Sequence, residues 1–367
     1  MLITSVQPWI VMNTFRPLPK NGKLIAVITA LGLLLTPSAH ASPKIKILAT
    51  GGTIAGAQAS TSDAGYKSGS FSVDDLIKAV PAMTNLATLS GEQVANIGSQ
   101  TMNHEVWLKL AKRVKEVLAG DTDGVVITHG TDTMEETAYF LSLVLDSDKP
   151  VVLVGSMRPA TAIGADGPAN LYNAVALAAD PAARGRGPLV MLNDTIHYAR
   201  ETQKTHTTHL DTFRSPNRGP AGVMNTGKAF FYNQNTTRRG GFSLDGLTPE
   251  KLPYVEIAYS YANFGGDTID DMVKRGVKGI ILAGVGDGNT TDAALDALGR
   301  AAKAGVIVVR SSRVGSGIVD RNVEVNDDKL GFITAMELNP QKARVLLMLG
   351  LTRTKDSKEL QKLFTEY

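Results

Sequence analysis

Short apolar runs that end in glycine-containing turns and give way to helix-period segments constrain this chain more than anything else in it. Residues 45–49, 94–97, 125–128, 151–154 and 189–192 are almost continuously apolar, the pattern of parallel strands covered on both faces. Between them, residues 73–80, 105–118, 135–145 and 168–178 have helical composition, and Ser72 before Val73-Asp74-Asp75 is a good N-cap with acids in the first turn. The pattern predicts an α/β fold with a larger N-terminal, mainly parallel-sheet domain over residues 42–235. A Thr-, Arg-, Gly- and Pro-rich stretch, residues 236–252, reads as a linker. The alternation then resumes, with strands near 255–259, 279–283 and 306–309 and helices near 268–275 and 293–303. A smaller C-terminal α/β domain over residues 253–367 follows from that.

The first 41 residues read differently. Arg16, Lys20 and Lys23 precede an apolar run over residues 24–35, and Ala39-His40-Ala41 closes the segment. A basic start, a short hydrophobic stretch and an A-x-A site make a secretory signal peptide, with cleavage expected after Ala41 and a periplasmic destination. The run is shorter than the ~20 residues a membrane span needs. The chain as a whole has 38 Lys and Arg against 35 Asp and Glu. Removing the three basic residues of the leader leaves 35 against 35, a formal charge of zero. The basic balance therefore belongs to export, and neither nucleic acid nor membrane is expected as a partner. With no cysteine, thiolate metal sites, disulfides and cysteine nucleophiles are excluded.

Several motifs are weaker than they look. Gly222 to Lys228 has phosphate-loop spacing, but Ala229 stands where Ser or Thr would hold magnesium, so the segment reads as a turn. In Gly284-Val285-Gly286-Asp287-Gly288-Asn289 the third glycine of a dinucleotide fingerprint is missing, and a structural turn is expected. His104-Glu105 lacks a second histidine four positions on. His206 and His209 could share a helix face, but without a third ligand a solvated pair is expected. No G-x-S-x-G elbow occurs.

Two segments are more specific. In Ile47-Leu48-Ala49-Thr50-Gly51-Gly52-Thr53, a buried strand runs into a double glycine that turns the backbone tightly and presents amides to a ligand. In Val125-Val126-Ile127-Thr128-His129-Gly130-Thr131-Asp132-Thr133, a second buried strand ends in a polar, glycine-containing turn before a helix. Thr53 and Thr131 would then lie at the carboxyl edge of the sheet, where open α/β sheets bind ligands. Either threonine alone could be a helix N-cap. Two hydroxyls at one sheet edge point instead to a site.

These segments resemble the two signatures of bacterial type II, periplasmic L-asparaginases. The likeness continues through Asn96 to Gln100, Met157-Arg158-Pro159, Ala165 to Pro168, Asn170 to Asn173, Asn193-Asp194, Tyr261-Ala262-Asn263, Arg310 to Arg313 and Asn339 to Arg344. It implies hydrolysis of L-asparagine to L-aspartate and ammonia, with L-glutamine a lesser substrate and no cofactor or metal. Thr53 is implied as the nucleophile, hydrogen-bonded by Tyr66 from a mobile, small-residue lid over residues 56–69. Thr131, Lys204 and Asp132 are implied as a second triad, the logic of Ser–His–Asp with different parts. The backbone amides of Gly52 and Thr131 are the implied oxyanion donors. Ser99 would take the substrate α-carboxylate, and Asp132 and Gln100 would lie towards the α-ammonium. Asn263 and Glu324 are implied to come from a neighbouring subunit, in a homotetramer built from site-sharing dimers. Without the resemblance, Glu324 would be a solvated charge beside Asp327 and Asp328. His129 is expected to pack or orient, since Lys204 handles the proton.

The nearest alternative is a broad glutaminase-asparaginase. Gln100 and Asn263 resemble the asparagine-preferring branch, whereas Thr101 departs from several relatives and Ser260 resembles the glutaminase side. An alternative from another class is an exported amino-acid-binding protein, which has no need of Thr53, Thr131 and Lys204 together.

Overall fold

The computed structural model describes residues 41–60 and 65–367. The expected leader lies, but for Ala41, outside them. Among the described residues no helix is long and apolar enough to cross a membrane.

The larger domain is built on an eight-stranded sheet. Five strands run parallel, in the order Pro188–Leu192, Val151–Val154, Gly124–Thr128, Lys44–Gly51, Thr88–Ile97. Thr195–Tyr198, Gly222–Asn225 and Lys228–Phe231 extend it as antiparallel strands beyond Pro188–Leu192. Alternation within single strands shows why both faces are covered. Ile45, Ile47 and Ala49 join one hydrophobic cluster with Val126, while Leu48 joins another with Val125 and Ile127. The smaller domain has four parallel strands in sequence order, Val255–Tyr259, Gly279–Gly284, Ile307–Ser312 and Ile333–Thr334.

The order of the large sheet fixes where a ligand can enter. From Lys44–Gly51 the chain crosses to Thr88–Ile97 on one side, and from Gly124–Thr128 it proceeds to Val151–Val154 on the other. The two central strands are neighbours whose following loops diverge, which leaves a crevice at their carboxyl ends. Thr53 follows one strand and Thr131 the other.

Two features were not legible in the hydrophobic pattern. The helix Pro340–Gly350 is buried along nearly its whole length, with Val345, Leu346, Leu347, Met348, Leu349 and Gly350 all inside. It packs against the helix Met134–Val144 and against the second sheet. A run buried on every side, as from Val345 to Gly350, has no period to detect. The antiparallel strands turn at Asn193-Asp194 and Thr226-Gly227, each pair with positive φ at both residues, the geometry of tight two-residue hairpins. The Gly222 to Lys228 segment is thus a hairpin around a turn. His206 and His209 stack at 3.6 Å between ring centroids, in a loop and not on a helix face. In the stretch 236–252, Phe242, Leu244, Leu247 and Leu252 are buried in the core.

Candidate active site

Glycines make the crevice possible. Gly51 and Gly52 have φ of 103° and 82°, which L side chains rarely adopt. A Cβ on Gly52 would lie 2.5 Å from Gly130 Cα, and one on Gly130 would lie 2.6 Å from Ser99 Oγ. The three turns that follow Lys44–Gly51, Thr88–Ile97 and Gly124–Thr128 are therefore nested backbone to backbone. The Gly52 amide takes part in this nesting: it donates to the Ile97 carbonyl at 3.0 Å. An amide engaged by a carbonyl in this way has less to offer a ligand, whereas the Thr131 amide has no backbone partner of this kind among the described residues.

Neither threonine is a helix cap. Thr53 opens the 3-10 turn Thr53–Ala55, whose N-cap position is Gly52. The helix Met134–Val144 has Thr133 at its N-cap, and the Thr133 hydroxyl donates to the Ser99 carbonyl at 2.8 Å instead of capping. Thr53 is buried, and its Oγ1 lies 2.7 Å from the hydroxyl of Tyr66. Tyr66 belongs to the strand Tyr66–Lys67, paired with Ala57–Gln58 in a small hairpin. Its ring lies over Gly56, where a Cβ would come within 2.8 Å of it. The hairpin is fastened at its far end, where Asn96 Nδ2 donates to the Gly69 carbonyl at 2.9 Å.

Thr131 is also buried, and Lys204 Nζ donates to its Oγ1 at 2.9 Å and to Asp132 Oδ1 at 2.7 Å. Most of the Lys204 side chain is inside, while more than half of the Asp132 side chain is exposed. The carboxylate can thus hold the ammonium with one oxygen and face the crevice with the other. Ser99, buried in the turn Ser99–Thr101, accepts the Asp132 amide at 3.1 Å, which leaves its hydroxyl hydrogen free to donate elsewhere. Gln100 is exposed, with its amide folded back over Gly98. Donors and acceptors from three adjacent strand ends, with Lys204, can thus serve a nucleophile, a proton carrier and a zwitterion.

His129 is fully buried, with Nδ1 2.6 Å from the Gly130 carbonyl and Nε2 2.9 Å from Thr137 Oγ1. Burial pushes its pKa down to about 4. It therefore fastens the turn as a neutral ring, as expected.

Asn263 and Glu324 are exposed. Asn263 sits in the left-handed region with φ of 64°, and Glu324 is bonded by Asn289 Nδ2. Neither is joined by a hydrogen bond within this chain to the Thr53 or Thr131 cluster. Asp327 is not a solvated neighbour of Glu324. It is completely buried and takes Arg310 in a two-pronged bridge, Nε to Oδ1 at 2.7 Å and Nη2 to Oδ2 at 2.9 Å. Sequence reasoning also passed over Glu135, which accepts the backbone amide of Lys204 at 2.8 Å. A carboxylate in the first turn of a helix, next to a chemical motif, was its only signal. Among the described residues there is no group of three His, Cys, Asp or Glu side chains able to hold a metal ion.

Residues 44–237 match the family model for the N-terminal domain of asparaginase, and residues 254–364 match the glutaminase/asparaginase C-terminal domain. A probable periplasmic L-asparaginase of Haemophilus influenzae is 50% identical over 94% of this chain and 99% of its own length. A glutaminase-asparaginase of Pseudomonas fluorescens is 47% identical over 88% of this chain and 90% of its own. The crystal structure of a probable cytoplasmic L-asparaginase from Campylobacter jejuni superposes with a TM-score of 0.86 at 52% identity, covering 89% of this chain and all of that one. With both halves of the fold matched and relatives aligned almost end to end, the chain belongs to the asparaginase family.

Proposed function

We propose that this enzyme hydrolyses the side-chain amide of L-asparagine to L-aspartate and ammonia, with L-glutamine as a lesser substrate, through an acyl-enzyme on Thr53. The observation that carries the reading is the joining of Lys204 Nζ to both Thr131 Oγ1 and Asp132 Oδ1, across the crevice mouth from the Thr53–Tyr66 pair. Thr53 Oγ1 attacks the amide carbon. Its proton leaves along the hydrogen bond to Tyr66 and reaches the departing nitrogen, which is released as ammonia. Lys204, having yielded a proton to Asp132, takes the proton of the Thr131 hydroxyl as that hydroxyl takes one from water; the hydroxide so formed cleaves the Thr53 ester, and a proton passed back along the same path restores the Thr53 hydroxyl. A threonine is a weak nucleophile until a neighbour shares its proton, which is why both hydroxyls need partners. The Thr131 amide stabilises the oxyanion, a donor of a kind that contributes ~3 kcal/mol.

Ser99 receives the α-carboxylate, and Asp132 and Gln100 lie towards the α-ammonium. Asn263 and Glu324, exposed and unconnected to the cluster within the chain, serve the site of a neighbouring subunit in a homotetramer. The leader pattern over residues 1–41, with the periplasmic name of the H. influenzae relative, supports export to the periplasm. Residues 42–235 then form the catalytic domain and 253–367 the smaller one.

Ammonia release from L-asparagine and L-glutamine tests the reading, with Thr53→Ala beside the unaltered enzyme. Thr53→Ala should lose turnover while still binding asparagine. Turnover within ten-fold of the unaltered enzyme in the folded variant would remove Thr53 as nucleophile. Binding without ammonia release in the unaltered protein would favour an exported amino-acid-binding protein.

A further inference from the structure

Lys204 must present its ammonium to Thr131 within hydrogen-bond reach, yet its backbone is poorly supported. It lies in the two-residue strand Gln203–Lys204, which pairs only with Phe213–Arg214 and is not part of either large sheet. A ribbon that small is marginal by itself, so something else fixes the lysine.

Two buried charged side chains supply the missing support. Glu135, 3% exposed, accepts the Lys204 amide at Oε2. Its Oε1 accepts from Asn339 Nδ2 at 3.1 Å and from Gln341 Nε2. Lys342, also 3% exposed, donates to the carbonyl of Arg200 at 2.8 Å and to that of Thr202. Asn339, Gln341 and Lys342 stand together at the start of the helix Pro340–Gly350. Glu135 is itself four residues beyond Thr131. A closed ring results, from the Thr131 hydroxyl to Lys204 Nζ, along the lysine to its amide, across to the Glu135 carboxylate, and back through the chain to Thr131. The ring is pinned from outside by the first turn of a helix that packs on the second sheet.

We propose that Glu135 is a positioning residue for the reaction: held by Asn339 and Gln341, its carboxylate fixes the Lys204 backbone so that Nζ reaches Thr131. The inference rests on the proposed role of Lys204 in turnover. Loss of the Glu135 charge lets the ribbon drift, and an ångström of misplacement costs rate while leaving the substrate's carboxylate and ammonium contacts in place.

The test is steady-state ammonia release by E135Q, Q341E, and the two combined, with T53A and K204A as references. In E135Q an amide replaces one acceptor oxygen and confronts the donor amides of Asn339 and Gln341. Its kcat should fall about ten- to a hundred-fold while KM for L-asparagine changes by less than about three-fold. Adding Q341E restores a donor facing an acceptor, and kcat should recover by at least half of the logarithmic loss. A purely structural carboxylate would lower the thermal midpoint and leave the kcat of folded enzyme intact. That result, or absence of rescue in a folded double variant, overturns the proposal. If E135Q does not fold, Q341A, which removes a single partner of the carboxylate, carries the test, and an unchanged kcat there is equally fatal. Active T53A and K204A variants would instead bring down the underlying reading. Inactive T53A and K204A beside a fully active E135Q bring down the positioning role alone.

Discussion

Replacing Asp327 by asparagine removes one charge and almost no volume, from a place where the partner charge has no other outlet. Arg310 is 1% exposed and Asp327 not at all. Besides the two bonds to Asp327, the guanidinium donates to the carbonyls of Asp287 and Asp320, at 2.9 and 2.8 Å. The second carboxylate oxygen also accepts the Asn322 amide at 2.9 Å. Neutral carbonyls do not offset a full charge, so Asp327→Asn leaves a cation buried without a counter-ion, at a cost of about 3–5 kcal/mol. Arg310→Leu together with Asp327→Asn removes both charges, and the pair should cost less than the sum of the two single changes, by about 1–3 kcal/mol of coupling. Equilibrium urea unfolding followed by far-UV circular dichroism reads both quantities. A single Asp327→Asn change costing under about 1 kcal/mol would refute the reasoning, because it would mean that water or an unseen rearrangement reaches Arg310. The bridge also fastens Asp320 and Asn322, four and two residues before Glu324, so the folded variant should bind asparagine more weakly if Glu324 serves a neighbouring site.

Three further expectations follow from the site. Gly52→Ala places a Cβ against the backbone of Gly130 at a φ reserved for glycine, and should cost more than about 3 kcal/mol; a urea midpoint equal to that of the unaltered protein contradicts the nesting of the turns. Burial holds His129, and also His197, which is buried in the strand Thr195–Tyr198 with Nδ1 2.8 Å from Ser215 Oγ, to about 4 against an ordinary 6.5. The unfolded chain therefore takes up protons below about 6.5 that the folded chain refuses until about 4. Stability is complete above 6.5 and is lost as pH falls to 4, by about 2–4 kcal/mol for each ring. A urea midpoint that stays flat from pH 7 to pH 4.5 would exclude this. Gln100→Glu should raise glutamine turnover relative to asparagine. One methylene is worth only ~1–3 kcal/mol in a pocket, so a shifted ratio is expected and not a reversal; an unchanged ratio assigns selectivity to Asn263 or the Tyr66 hairpin.

What the sequence made legible follows from physics that acts locally. Strands covered on both faces are apolar whatever their partners, so the runs that became Gly124–Thr128 and Val151–Val154 could be read directly. The two threonine turns stood out because each follows such a strand with glycine, Gly51-Gly52 in one and Gly130 in the other, directly before the threonine. The Pro340–Gly350 helix stayed hidden because Val345 to Gly350 are buried throughout and its polar Gln341 and Lys342 bond inward, to Glu135 and to the carbonyls of Arg200 and Thr202, so no solvated face sets a period. The engagement of the Gly52 amide was hidden for a related reason: it depends on a carbonyl, that of Ile97, forty-five positions away. Glu135 was passed over because its partners at Asn339 and Gln341 lie two hundred residues further on. The sequence pattern marks the groups that do chemistry more readily than those that hold them still.

The nesting of three turns on Gly51, Gly52 and Gly130 sets limits on redesign. Each turn is the mould for the next, so a residue inserted into one would have to be accommodated by the backbones of the other two. Variation intended to change substrate preference therefore has little room at the floor of the crevice, where almost any substitution displaces both threonines together. The freedom lies in the exposed Gln100 and in the hairpin bearing Tyr66. A library confined to those positions should yield mostly folded enzymes with altered preference, while one that randomises the glycines should yield mostly insoluble chains.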